Sequence, residues 1–207
     1  MPLTVNIELS DKDLEHFNHA ADKARALAEG KSNKEIIDGA TQLLSNAQQS
    51  NPPEFVKQRL FLLDTLIAML RDEGWAMSEA DAKHVRCALV YFAVPGDAIP
   101  DDVPVLGFLD DAIMIELSAR ELQHEIDAYA DFCEFRQNEA DRRGLAPDTV
   151  GRANWLDSRR EELQERMRRR RERESGSGFG RGYGSSSGYG PVRSYTNTGW
   201  RPGFKVS

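Results

Sequence analysis

YFAVPGDAIPDDVPVLGFLDDAIMIE, residues 91–116, separates two apolar helical patterns and sets how they meet. It holds three of the nine prolines, two glycines and six acidic residues. A proline pushes the residue before it out of the α region, so Val94, Ile99 and Val103 are expected to be extended or in turns. The two helices therefore join at a compact bend. That bend gathers Asp97, Asp101, Asp102, Asp110 and Asp111 into one short segment, and like charges so placed raise one another's pKa unless something offsets them.

Two offsets fit. Helix chemistry is one: Asp97 and either Asp101 or Asp102 can cap short turns, Pro104 suits a first helical turn, and Asp110 and Asp111 stand near the positive end of the helix that follows. A divalent cation (Mg²⁺, Mn²⁺ or Ca²⁺) is the other, with oxygen ligands from Asp97, Asp101 and Asp110. Consecutive helical residues project about 100° apart, so at most one of Asp110 and Asp111 faces a shared site. Asp110 is chosen because it shares a side with Ile113 and Leu117.

Beyond the bend, one helical pattern runs from Val105 to Arg143. Leu106, Leu109, Ile113 and Leu117 take one face, and Ile115, Leu122, Ile126, Tyr129 and Cys133 the opposite one. A helix apolar on two faces is sandwiched or kinked, so this one is expected to be the long central helix of an all-α, multi-helix bundle. Glu121 and His124 form an E-x-x-H step on it, the spacing of di-iron carboxylate bundles. Such sites need two steps, and Asp81 with His84 offers only the same spacing upstream. A hydrogen-bonded interior histidine is the plainer reading of His124; a metal ligand or acid/base group, with Glu121, is the sharper one.

Upstream, Leu3, Val5, Ile7 and Leu9 alternate with polar residues, the period of one short N-terminal strand. A lone strand must pair with a copy of itself in a homodimer or lie against helices. Ser10 with Asp13 and Ser32 with Glu35 read as capping boxes, the first opening a helix from Asp11 to Glu29. Residues 1–50 are thus a strand plus a helical hairpin. Ribbon-helix-helix DNA-binding dimers share that order, but Thr4, Asn6 and Glu8 offer phosphates no cation. Asn51-Pro52-Pro53 is a hinge, Phe55, Leu62, Leu66 and Met69 carry a third helix to Gly74, and Ser78 with Asp81 opens a fourth that Pro95 ends. Residues 51–146 form the helical core, closed by Gly144 and Pro147.

The 207-residue chain is 40% hydrophobic, enough for a real core. Its charge is split: residues 1–151 hold 14 Lys+Arg against 28 Asp+Glu, and residues 152–207 hold 13 against 6. Residues 147–174 read as a charged helix whose few apolar positions, chiefly Trp155, Leu156, Leu163 and Met167, are too sparse for a firm dock. Residues 175–207 are Gly/Ser-rich with spaced arginines and aromatics, a composition that cannot build a core and is expected to be disordered. Cations meet phosphates and rings stack on bases. Arg168, Arg169, Arg170, Arg171, Arg181, Arg193 and Arg201 are therefore the candidate contacts for nucleic acid or an acidic protein, with an anionic membrane surface as the third possibility.

Cys87 and Cys133 lie in apolar helical patterns without metal-ligand spacing, as reduced core residues of a cytoplasmic protein. No basic-then-apolar leader opens the chain. Its longest apolar runs fall far short of the ~20 residues of a spanning helix, so no transmembrane segment is expected.

Pro95, Asp97, Ile99, Pro100, Asp101, Pro104, Gly107, Asp110 and Asp111 spell P-x-D-x-I-P-D-x-x-P-x-x-G-x-x-D-D. This closely resembles the pattern of the YkvA-like domain of unknown function, over Val85 to Leu117. The resemblance implies no established activity. Some members look membrane-associated through apolar segments after the Asp pair, where this chain has Glu116, Arg120, Glu121 and Glu125. No Ser/His/Asp set, P-loop or dinucleotide turn accompanies the motif. The leading expectation is a non-enzymatic helical interaction or adaptor protein with a basic aromatic tail. A divalent-metal carboxylate enzyme, perhaps hydrolytic, and a peripheral membrane protein are the alternatives.

Overall fold

The computed structural model describes residues 8–94, 99, 103, 106–145 and 154–176, and among them it is all-helical, with no strand. In chain order come α1 (Asp11–Leu27), α2 (Asn33–Ser50), α3 (Glu54–Arg71), α4 (Glu79–Leu89), a 3-10 turn (Tyr91–Ala93), α5 (Leu109–Glu121), α6 (Gln123–Arg143), a second 3-10 turn (Asn154–Leu156) and α7 (Asp157–Gly176). The expected strand and the tail from residue 177 lie outside the described residues, except that Glu8 and Leu9 are described and belong to no strand.

The helix starts follow their caps. Both expected capping boxes form, with Ser10 and Ser32 exchanging bonds with Asp13 and Glu35, and the Ser78 hydroxyl accepts from the Asp81 backbone N–H at 3.2 Å. Left-handed residues stop the chain after α2 at Asn51 (φ 50°) and after α6 at Gly144 (φ 65°).

The single long helix expected from 105 to 143 is two helices. Leu122, at φ −100° and ψ 20°, breaks the pattern, while Leu122 N–H still bonds to Ser118 C=O and Ile126 N–H to Leu122 C=O, each at 3.0 Å. The break is therefore a kink across which two helical hydrogen bonds persist. The central place belongs instead to α3, which packs against α2, α4, α5 and α6 and buries Val56, Leu60, Leu63, Leu66, Ile67 and Met69. In α2, Gly39 lies against the first 3-10 turn: a Cβ there would sit 2.8 Å from Ala93 Cα. That close approach fixes the chain just before the proline-rich bend.

A buried polar knot ties α6 to the turn after α3. Arg136 donates to both Asp72 oxygens, at 2.9 and 2.7 Å, and the Tyr129 hydroxyl donates to Asp72 Oδ2 at 3.0 Å. Asp72 Oδ1 also accepts from the Gly74 and Trp75 backbone N–H groups. The pair is inside the core, with the Arg136 side chain fully buried. Beside it, burial pushes the Cys133 thiol up to about 11 despite the nearby Arg136 charge. Cys87, expected in the core, is exposed on α4.

α7 overturns the expectation of a loosely held charged helix. Leu156, Leu163 and Met167 are buried against the body, and burial of such side chains is worth about 1.5–3 kcal/mol each as an upper bound. Gln164 donates to Trp75 C=O at 2.7 Å, Arg160 to Gly74 C=O at 3.2 Å, and the Arg143 guanidinium stacks 4.4 Å from the centre of the Trp155 ring. The apolar positions are few, but they share one stripe, and polar contacts extend it.

Candidate functional site

Two places combine buried charge with contacts between distant segments. The first is the bend itself. Val94 is extended (φ −121°, ψ 128°), as the proline after it requires. Asp110, in the first turn of α5, is buried, and its Oδ2 accepts from the Ile99 backbone N–H at 3.1 Å. It thereby ties Ile99 to the first turn of α5. Asp111 is buried as well, so the step between the two aspartates does not send one of them to solvent. Phe108 takes the position before α5 with φ 65°, a strained conformation for an aromatic residue, and is held there by burial in the core. Asp97 and Asp101 lie outside the described residues.

The second place is where α4, the α5–α6 kink and α7 meet. Asp81 and Glu125 have side chains only 1% exposed. Arg171 spans them, donating to Asp81 Oδ1 and to Glu125 Oε1 at 2.8 Å each, and Arg168 Nε reaches Asp81 Oδ2 at 3.1 Å. His84 lies between the two glutamates, its Nδ1 3.0 Å from Glu125 Oε1 and its Nε2 3.8 Å from Glu121 Oε1. The carboxylates of Glu121 and then Glu125 outweigh burial and raise the His84 pKa to about 9, so the imidazole is cationic at neutral pH. Burial opposes the charged form of Asp81, but bonds from Ser78, Arg171 and Arg168 more than offset it and hold its carboxyl below the usual range. Glu125 is depressed in the same way, burial being overcome by His84 and Arg171. The arrangement is a closed set of three cations and three carboxylates.

The structure does not bring Glu121 and His124 together as a ligand pair. Glu121 ends α5 and His124 begins α6, with the Leu122 kink between them; Glu121 faces His84, while His124 Nε2 lies 3.0 Å from Glu174 of α7. Among the described residues, no group of three or more His, Cys, Asp or Glu side chains is placed to hold a metal ion. Arg168 and Arg171 point into the body, whereas Arg169 and Arg170 are exposed and Arg169 pairs with Glu165 at 2.8 Å. Sequence reasoning named Asp81 and His84 only for their spacing and missed that they meet Glu125 here. The D-x-x-H step was the only local sign of them, because the partners are distant in the chain.

Residues 85–117 match the model of a family described as a protein of unknown function, DUF1232, which is the YkvA-like family that the motif resembles. The matched segment runs from within α4, through the bend, to within α5. No curated protein and no solved structure matches the chain.

Proposed function

We propose that this chain, with its DUF1232 segment at residues 85–117, is a non-enzymatic helical adaptor whose acidic body carries a basic, aromatic segment for contact with single-stranded nucleic acid. The observation that carries this reading is the docking of α7. Leu163 and Met167 of α7, Leu156 just before it and a set of arginine–carboxylate pairs hold the helix on the body, so residues 177–207 follow directly on a docked helix. That segment holds Arg181, Arg193, Arg201 and Lys205, six aromatic residues and no acid. Cations spaced among rings suit a strand whose phosphates and unpaired bases are both accessible.

The outward side of α7 supports the same division of labour. Its exposed Arg169, Arg170 and Arg173 are interspersed with exposed Glu161, Glu162, Glu165, Glu172 and Glu174. Contact is therefore assigned to Arg181, Arg193 and Arg201 in preference to Arg168–Arg171. At the bend, Asp110 uses an oxygen on the Ile99 amide, which supports a clasp over a cation ligand. Among the described residues no helix is long and apolar enough to cross a membrane.

The test is fluorescence anisotropy of a labelled 20-nucleotide uridine-rich RNA with the full chain and with a chain ending at residue 176. The four tail cations can release at most about four counterions. At a slope of about −0.7 per contact, affinity falls up to about 50-fold between 50 and 200 mM salt. The shortened chain is expected to lose the binding. Equal binding by both chains overturns the proposal.

A further inference from the structure

Arg168 and Arg171 follow Gln164 at steps of four and three residues, so all three lie on one stripe of α7 and face the body. Gln164 belongs to the apolar dock, but Met167 is the last buried side chain of the helix among the described residues. Beyond it, contacts to the body are ionic: Arg168 to Asp81, Arg171 to Asp81 and Glu125, and Glu174 to His124. The two arginines remain 34% exposed while their acids are almost wholly buried. Opening these ionic contacts would therefore leave the buried Leu163 and Met167 in place. A phosphate accepts from the same guanidinium fork that a carboxylate does.

We propose that Asp81 and Glu125 hold Arg168 and Arg171 in reserve, an autoinhibitory contact that nucleic-acid phosphates compete for. The inference rests on the reading of the basic end as a single-strand binder. In the docked state α7 offers a polyanion a face of mixed charge, and the tail alone contacts it. Once the clamp opens, two more cations join the tail on the same strand. Binding then gains contacts, and its dependence on salt steepens with them.

The experiment uses the full chain and the same labelled RNA across a series of salt concentrations. Asp81→Asn/Glu125→Gln removes the clamp acids with little change of shape, and the amide introduced at position 81 can still accept and donate at the Ser78 cap. Glu134→Gln/Glu161→Gln makes the same charge change at two exposed positions. Two extra phosphate contacts steepen the plot of log affinity against log salt by about 1.4 in the clamp variant. The control is expected to tighten binding without steepening it. A clamp variant with the slope of the wild type or of the control overturns the proposal. If the RNA binds none of the proteins, both the clamp and the single-strand reading fall. Wild-type binding that depends on residues 177–207, with no steepening in the clamp variant, removes the clamp alone. Circular dichroism checks folding; should the double variant be unfolded, Asp81→Asn alone frees Arg168, leaves Arg171 on Glu125 and gives the same test at about half the steepening.

Discussion

Replacing Asp72 by asparagine removes a carboxylate charge from a guanidinium buried in the core. Arg136 donates to both Asp72 oxygens, at 2.7 and 2.9 Å, with its side chain fully buried and that of Asp72 only 4% exposed. Removing one partner of a buried ion pair costs about 3–5 kcal/mol, because the guanidinium stays in the core after its Asp72 carboxylate charge is gone. The amide oxygen of the variant could still accept from the Gly74 N–H, so the turn between α3 and α4 is expected to survive while its tie to α6 fails. At about 2–4 °C per kcal/mol for a chain of this size, the melting temperature falls by about 6–20 °C. Urea unfolding followed by circular dichroism gives the free energy directly. The partner variant Arg136→Met and the double variant complete the cycle, and the double is expected to be more stable than the sum of the single losses predicts, by about 1–3 kcal/mol. A loss under about 1 kcal/mol for Asp72→Asn, or strict additivity in the double variant, refutes the reasoning.

Two further predictions concern the other packed regions. His84 has its pKa raised to about 9 from 6.5, so its contribution is fully present below pH 6.5 and is lost as the pH rises through 9. Wild-type thermal stability should fall across that window, and His84→Gln should remove this part of the fall; an identical profile in the variant contradicts the Glu121–His84–Glu125 contact. Gly39→Ala would gain about 1 kcal/mol from helix propensity in open space. Here the new methyl meets Ala93 Cα at 2.8 Å and Cβ at 2.9 Å, and overpacking of about 1–3 kcal/mol makes the expected net effect a loss of up to about 2 kcal/mol. A variant more stable than wild type in urea would show that the 3-10 turn yields.

Local chemistry carries much of this fold in the sequence. Serine caps mark the starts of α1, α2 and α4, and the proline rule gives the extended Val94, because each depends on neighbours within a few residues. The Leu122 kink is less visible: the apolar residues on two faces of the 105–143 pattern allow a kink or a sandwiched helix, and only tertiary packing decides. Phe108 in the left-handed region, directly after a glycine, carries no local signal. Cys87 departs from its expected core position because it stands two residues from both Val85 and Leu89 and so faces away from their buried side. The firm seat of α7 is hidden for a different reason. Its apolar stripe is thin, and what completes the dock is a set of acids on α4 and α6 that helical periodicity cannot pair with it. At the candidate site, His84 and Asp81 show their spacing but not their partners, and the Glu121–His124 step loses its meaning at the kink.

Ultraviolet cross-linking of the full chain to uridine-rich single-stranded RNA, with the attached peptides identified by mass spectrometry, addresses the assignment of binding to the basic end. An interface carried by residues 177–207 predicts cross-links at Phe179, Tyr183, Tyr189, Tyr195, Trp200 or Phe204 that weaken as salt rises. Cross-links confined to α5 or to the proline-rich bend, with none in residues 177–207, contradict it.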